Sequence, residues 1–549
     1  MPDQQQQETR WYSVPLLWLL LILVSLLVAP VPGINEPHYL AKARSVADSE
    51  WCKHDFFVHS GNAHFLFLHL VGPLTGVLSF PVVAVCGRIL SLGLFAYGWH
   101  RLSQAFRLTA SVAVLSLSMF AVFSVSGNFS GEWIIGGFEA KVPAYGLILV
   151  AMASVCQHFE RVGIQHSAQQ STVTNHGIYG AGVCCGLAAA IHPVVGGWAI
   201  CSFAGAILMA GGNSGREKIA QTMRYGLISL LFSLPGTIPA LLFLKNQDVS
   251  RADADAANFY QVFWRLRHHL DPVEIPRRGW IWAASLLSIL ILIAVSLLIQ
   301  SRRSPRVRSS LRGLWWILIL SATIAGIGTA VGWHNVPASE MTGWKWRATI
   351  LKFYPFRLFD GLLPVVTALT FGVAFQKQIL RLKPDAGRLS KVVSIGLAFA
   401  MTVGAVLTSL DHRNEVPAGY TRTQQQDWLK ACAWIEKNTS ADSLFLTPRE
   451  SYAFKWFAQR AEYACYKDCP QDAAGIVEWN RRLWYLHDWT LRSSEDESYT
   501  VEELQQLRRE TGITHIVTRI LGPFEASPVF VEGDWQIIEI PQSGVPVEQ

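Results

Sequence analysis

For most of this chain the apolar residues come in long blocks, without the spacing of an amphipathic helix or a half-buried strand. Blocks able to cross roughly 30 Å of hydrocarbon lie near residues 14–32, 81–100, 109–126, 142–157, 176–192, 193–210, 224–244, 280–299, 313–333, 354–375 and 392–410. The pattern predicts a polytopic α-helical membrane protein with about eleven transmembrane helices. A further apolar stretch, HFLFLHLVGPLTGVLSF from His64, is interrupted by Gly72 and Pro73 and reads as a re-entrant or interfacial helix. The first block has no small-x-small cleavage site before its end, so an uncleaved anchor is expected.

After about Thr408 the pattern changes. DWLKACAWIEKNT and AAGIVEWNRRLWYLHDWTL have helical periodicity, SYTVEELQQLRRETG reads as a capped helix ending at Gly512, and DSLFLTP and ITHIVT read as strands. Helices alternating with strands predict a small soluble α/β domain. We therefore expect a transmembrane domain over 1–410, with outer loops 33–80, 127–141, 245–279 and 334–353, and an extracytoplasmic domain over 411–549.

Composition agrees: 51% of residues are hydrophobic, 16% are charged, the mean hydropathy is +0.26 and there are 21 tryptophans, unlike an ordinary soluble enzyme. Charge divides at the same boundary. Residues 1–410 carry 32 Lys and Arg against 18 Asp and Glu, a net +14, whereas residues 411–549 carry 14 against 22, a net −8. The positive part reflects loops facing anionic lipid and cytoplasm, so nucleic acid is not an expected partner. QSRRSPRVRSSLR and QKQILRLKPDAGRLSK each hold five basic residues, which marks them as cytoplasmic. An odd number of spans then puts the N-terminus inside and the C-terminal domain outside. Nine cysteines form no CxxC pair and no zinc spacing, so cysteine-bound metal is not expected; Cys465 and Cys469 are the pair whose disulfide would depend on compartment.

Polar residues gather in the outer loops. Loop 33–63 holds Asn35, Glu36, His38, Asp48, Glu50, His54 and Asp55, and GNFSGEWIIGGFEAKVPAYG holds Glu132, Glu139 and Lys141. FWRLRHHLDPVEIPRRG sets Arg265, Arg267, His268 and His269 beside Asp271 and Glu274. Each has an ordinary explanation beside a chemical one. Glu36 opens a helix, EPHYLAKARSVADSEW, where an acid near the N-terminus is favoured by about 0.3–1 kcal/mol, with Asn35 as a good N-cap. Glu139 can pair with Lys141. Arg88 lies too deep in its span to snorkel easily, and either pairs internally or binds a lipid phosphate. Arg357 either snorkels into headgroups or offers its planar fork to a phosphate. Adjacent His268 and His269 point different ways on any regular element, which favours a surface role over metal ligation.

A carboxylate just past the first span, an acid-bearing second loop, cations at the outer face and a terminal α/β domain together resemble the GT-C class of integral-membrane glycosyltransferases. The phrases NEPHYLAKA, GEWIIGGFEAKVPAYGL, KFYPFRLFDGLLP and WIEKNTSADSLFLTP further resemble a group of uncharacterised bacterial multi-pass proteins. The chain departs from the class in having no WWDYG-type motif and in carrying Pro37 where many members have a second acid. The resemblance implies a GT-C-like glycosyltransferase in the inner membrane, with a sugar donor on a polyprenyl phosphate or pyrophosphate, membrane lipid as a partner and transfer on the outer face. It implies Glu36 as general base, Glu139 as a ligand for acceptor or a divalent metal, and Arg357 with Arg88 or Lys141 against the departing phosphate. His38, two residues from Glu36, joins the expected substrate-binding set. The competing classes are a transporter or flippase, and a non-catalytic membrane-anchored assembly protein. Nothing resembles a nucleotide-binding loop or a nucleophile elbow.

Overall fold

The computed structural model describes residues 13–168, 176–210, 214–245, 249–300, 305–382, 387–410, 420–450, 453–494 and 498–542. The glutamine run at the start lies outside these residues, as do parts of the two basic connections and the expected 410/411 boundary. Two compact units emerge, one of Met1–Pro30, Val85–Leu241 and Val262–Arg413, the other of Val31–Ala84, Leu242–Gln261 and Asn414–Gln549. Composition drew a single boundary near 410, whereas the second unit also takes in residues of the first and third polar loops.

The structure is mostly helical. Among the described residues, seven helices are long and apolar enough to cross a membrane: Phe80–Ala105, Lys141–Gly163, Gly215–Phe243, Arg277–Ile299, Ser309–Gly332, Arg357–Ile379 and Lys391–Leu410. Val14–Val28, Ala110–Ser126, Gly177–Ile191 and Pro193–Leu208 are apolar but shorter, and they coincide with the other four blocks seen in the sequence. The His64 stretch forms a single helix, Phe65–Val77, that runs through Pro73.

In the first unit, small residues let helix backbones approach closely. A Cβ on Gly236 would lie 1.8 Å from the Ala190 carbonyl oxygen, and one on Gly186 would lie 2.5 Å from the Ser229 carbonyl oxygen. These contacts join His176–Ile191 to Gly215–Lys245, where no side chain larger than hydrogen fits.

The second unit holds a five-stranded sheet in the order β2-β1-β3-β5-β4, with β1 Leu444–Leu446, β2 Ala461–Glu462, β3 His515–Thr518, β4 Phe530–Glu532 and β5 Trp535–Glu539. β1 runs parallel to β2 and β3, while β5 is antiparallel to β3 and β4. Alternate residues serve opposite faces. Leu444, Leu446, Ile516 and Ile538 pack with Leu504, Leu507 and Trp489, whereas Phe445, Val517 and Ile537 pack with Trp428, Ile435 and Phe454. Capping boxes start the helices Arg422–Asn438, through Thr421 and Gln424, and Val501–Thr511, through Thr500 and Glu503. Gly512, at φ +77°, ends the second where the sequence placed its stop. Ala41, Cys52, Phe57 and Val58 belong to the Leu444 face of this core, which explains why the first polar loop is part of the unit.

Gly236→Ala should lower the melting temperature of the detergent-solubilised protein, because the added methyl overpacks a helix contact at a cost of about 1–3 kcal/mol. Gly226 has open space within 4 Å, so Gly226→Ala should leave the temperature unchanged or raise it, as expected from helix propensity.

Candidate functional site

In the first unit the site is built on a short segment, residues 128–132, held by one carboxylate. Asp360, in the first turn of Arg357–Leu382, accepts the backbone N–H groups of Phe129 at 2.7 Å, Ser130 at 2.7 Å and Glu132 at 3.0 Å, and the Ser130 hydroxyl at 3.3 Å. An ionised carboxylate suits this position because it only accepts, and charge strengthens each bond. Asn128 Oδ1 accepts the Gly131 N–H at 2.6 Å, and Gly131 adopts φ +83°, which a side chain would resist. His269 donates Nδ1–H to the Ser130 carbonyl at 2.5 Å. Phe129, at the start of the segment, packs edge-on against Trp280, Phe356 and Phe359.

This anchoring fixes Glu132, a buried residue that the sequence placed in the right loop without a role. Its Oε2 lies 3.0 Å from Arg357 Nε, and its Oε1 makes no hydrogen bond among the described residues. The Tyr145 hydroxyl donates to the Arg357 carbonyl oxygen at 2.9 Å and also lies within hydrogen-bonding reach of the Glu132 carboxylate. The Arg357 guanidinium stands 4.1 Å from the Tyr354 ring centroid, with one terminal nitrogen 3.4 Å from His192 Nε2. Arg357 is thus held inside the unit by a carboxylate and an aromatic face. Lys141 pairs with Glu139 at 3.2 Å, both buried, and also lies within electrostatic reach of Glu132 and Arg357. Arg88, also buried, donates to the carbonyl of Ala29 and, at 3.5 Å, to that of Pro30. The structure therefore gathers Arg357, Lys141, Glu139 and Glu132, and it gives Arg88 backbone partners after the first helix.

Glu36 and His38 belong to the second unit. Glu36 is buried and opens the Glu36–Ala47 helix, its Oε2 accepting the Gly33 N–H at 2.6 Å. Asn35 occupies the N-cap position without a side-chain capping bond, and the Glu36 carboxylate closes the turn that leads into the helix. His38 Nδ1 lies 3.1 Å from Asp468 Oδ1, and its ring packs 4.4 Å from that of Phe57. Asp468 leads into a buried network around Lys455. The Lys455 ammonium contacts Glu462, lies 2.8 Å from Asp468 Oδ2 and lies 3.3 Å from Asp55 Oδ2. Thr447 donates to Glu462 at 2.8 Å, and the Glu462 N–H reaches Asp55 at 3.0 Å.

Burial works against an ionised Asp468, but the adjacent Lys455 and His38 outweigh it and hold the carboxyl well below the usual range. Burial lowers the His38 pKa despite its bond to Asp468, and raises that of Glu462 against the pull of Lys455. Lys42, which donates to the Ser60 carbonyl at 2.7 Å and hydroxyl at 2.9 Å, is brought down by burial to about 7. Glu462, Cys465 and Asp468 have metal-ligand atoms within 4.8 Å of one another. The Lys455 ammonium already supplies the cation for two of them, so this cluster does not fit a metal. Cys465 and Cys469 carry separate thiols.

Two outcomes follow. Asp360→Asn turns an amide toward three backbone donors, and should cost at least about 2 kcal/mol, with faster hydrogen exchange over residues 128–132. Lys42 binds fewer protons folded than unfolded between its folded value of about 7 and its ordinary 10.5, so it contributes a stability that rises with pH across that window. Melting curves from pH 7 to 10 should therefore show a smaller upward slope for Lys42→Met than for the unaltered chain.

By sequence, residues 426–486 match a family described as Domain of unknown function (DUF6798), a stretch that includes Lys455, Glu462 and Asp468. No curated protein matches. Among solved structures, the chain is similar to ArnT from Cupriavidus metallidurans bound to undecaprenyl phosphate, at 11% identity and a TM-score of 0.51, covering 97% of this chain and 98% of that one. It also aligns with the Archaeoglobus fulgidus oligosaccharyltransferase in complex with zinc and sulfate, at 13% identity and a TM-score of 0.44, over 91% of this chain and 67% of that one. The likeness to ArnT, at so low an identity but over nearly the full length of both chains, is one of fold: this integral membrane protein has the GT-C-type fold of membrane glycosyltransferases.

Proposed function

We propose that the protein is a GT-C-like glycosyltransferase that moves a sugar from a polyprenyl-phosphate-linked donor to an acceptor on the outer face of the inner membrane. The observation that carries this reading is Arg357, fixed by Glu132 on an Asp360-anchored segment, with Lys141 in electrostatic reach. Two cations beside two carboxylates, in the fold that ArnT shares, suit a ligand with an anionic group and hydrogen-bonding substituents. The ArnT neighbour is bound to undecaprenyl phosphate, and lipid phosphate is the ligand class we assign here.

In this reading the acceptor oxygen forms a bond to the anomeric carbon while the bond from that carbon to the phosphate oxygen breaks. The electron pair leaves with the lipid phosphate, where Arg357 and Lys141 stabilise the growing charge as fixed cations in a water-poor setting. Glu139 holds the Lys141 ammonium in place through their 3.2 Å contact. Arg88 fixes the chain after the first helix through the Ala29 and Pro30 carbonyls. The acceptor hydroxyl gives its proton to a carboxylate, and Glu36 is the residue we assign to that role from its position past the first span. The terminal unit, on the outer side with the N-terminus inside, selects acceptors.

Native mass spectrometry of the detergent-purified protein, offered polyprenyl phosphates with and without sugars, tests the reading. The unaltered chain should retain a sugar-bearing polyprenyl phosphate in preference to ordinary phospholipid, and Arg357→Ala should weaken that retention tenfold or more. Retention of phospholipid alone would sink the proposal. Glu36→Gln preserves an acceptor for the Gly33 N–H and removes the base; transfer should fall by about 10²–10⁴-fold with lipid retention unchanged. Transfer at the unaltered rate would leave Glu36 as a helix-starting acid.

A further inference from the structure

His269 was expected at the surface with His268. The structure instead divides the pair: His268 is exposed, while His269 is partly buried with its ring against Gly131. A Cβ on Gly131 would fall 1.9 Å from His269 Cε1, so the glycine is the floor on which the imidazole rests. The Ser130 carbonyl can only accept, so the 2.5 Å contact puts the ring proton on Nδ1. Burial is the largest influence lowering the His269 pKa, followed by His268, Arg357 and Lys141, and the Ser130 bond only partly opposes them. The ring is neutral at physiological pH, and Nε2 presents a lone pair. It makes no hydrogen bond among the described residues.

One residue beyond Gly131 stands Glu132, whose buried Oε1 likewise makes no hydrogen bond among the described residues. The site therefore offers two acceptors, Glu132 Oε1 on the segment and His269 Nε2 packed against Gly131, and Arg357 and Lys141 lie within electrostatic reach of both residues. An anion alone would engage the cations and leave both acceptors unused. A ligand with hydroxyl donors one or two bonds from its anionic group would engage all four, and a sugar joined to a phosphate has that form.

We infer that His269 Nε2, with Glu132 Oε1, accepts hydrogen bonds from hydroxyls of the donor sugar whose phosphate lies against Arg357, so that His269 distinguishes a sugar-bearing lipid phosphate from the bare lipid phosphate. This rests on the glycosyltransferase reading and deepens it. Ser130 holds the tautomer and Asp360 holds Ser130, so the acceptor is set before ligand arrives. His268, stacked 3.9 Å from His269 by ring centroids, adds positive charge only when protonated.

Two substitutions divide the imidazole. His269→Asn keeps a donor where Nδ1 meets the Ser130 carbonyl and deletes Nε2, whereas His269→Gln restores a polar atom near the Nε2 position. Both are compared with the unaltered chain by native mass spectrometry, with undecaprenyl phosphate and undecaprenyl phosphate carrying a hexose or a pentose as probes. The unaltered chain should prefer one sugar-bearing probe. His269→Asn should lose that preference about tenfold, or ~1.4 kcal/mol, while holding the bare lipid as before, and His269→Gln should recover part of it. Equal weakening of both probes would make His269 a structural residue and overturn the inference, as would an unchanged preference in His269→Asn. If the unaltered chain holds the bare lipid without preferring any sugar, the inference fails and the lipid-phosphate reading stands. If it holds neither, both fail.

Discussion

A single carboxylate organises the first unit. Asp360 takes three N–H groups of one loop that would otherwise be buried donors without acceptors, a condition that costs about 1–3 kcal/mol for each. Its helix also carries Arg357, three residues earlier. The loop is thus pinned to the element that bears the cation it must face, and the Glu132 to Arg357 contact follows from that arrangement. Glu132 would be expensive to bury alone, and Arg357 would be free to extend without Glu132 to hold it. Their pairing restricts the guanidinium to one place before any ligand is present.

The second unit solves a different electrostatic problem. Lys455 faces Asp55, Glu462 and Asp468, so one ammonium contacts three buried carboxylates from two parts of the chain. Three carboxylates around one ammonium cannot all remain ionised at low cost; burial pushes Glu462 up, while Lys455 and His38 hold Asp468 down. The network ties Asp55, from the first polar loop, to the segment that matches the family of unknown function. Its residues recruit one another, which accounts for their burial.

Hydropathy carried most of the architecture in the sequence, because a bilayer demands long apolar helices and little else produces them. The terminal helices were legible from their caps, and β1 and β3 from short apolar runs. β2 is two residues long and β4 has an exposed centre, so neither carries a periodic signal. The Glu139 to Lys141 pair could be read from spacing, as could the role of Glu36 at a helix start. Asp360 and Glu132 could not: 228 positions separate them, and nothing local in DGLLP tells that the carboxylate will gather distant amides. A Gly at 131 between two polar residues was the one available hint, since it marks a backbone turn that something must hold. His269 was misplaced because the spacing of two histidines gives their divergence but not which of them turns inward.

The Asp55 carboxylate accepts the Glu462 N–H across 407 residues of chain. Protein synthesis at roughly 5–20 residues per second makes the first partner about 20–80 seconds before the second. Throughout that interval the polar segment after the first helix has its acids and its apolar side chains Phe57 and Val58, but neither its cation nor its sheet. The unit cannot fold as it emerges, from one end to the other. Completion must wait for the last quarter of the chain, so a nascent chain arrested before Lys455 would display an acidic, apolar segment open to proteases and chaperones, and quality control would read the absence of a single lysine as an unfinished protein.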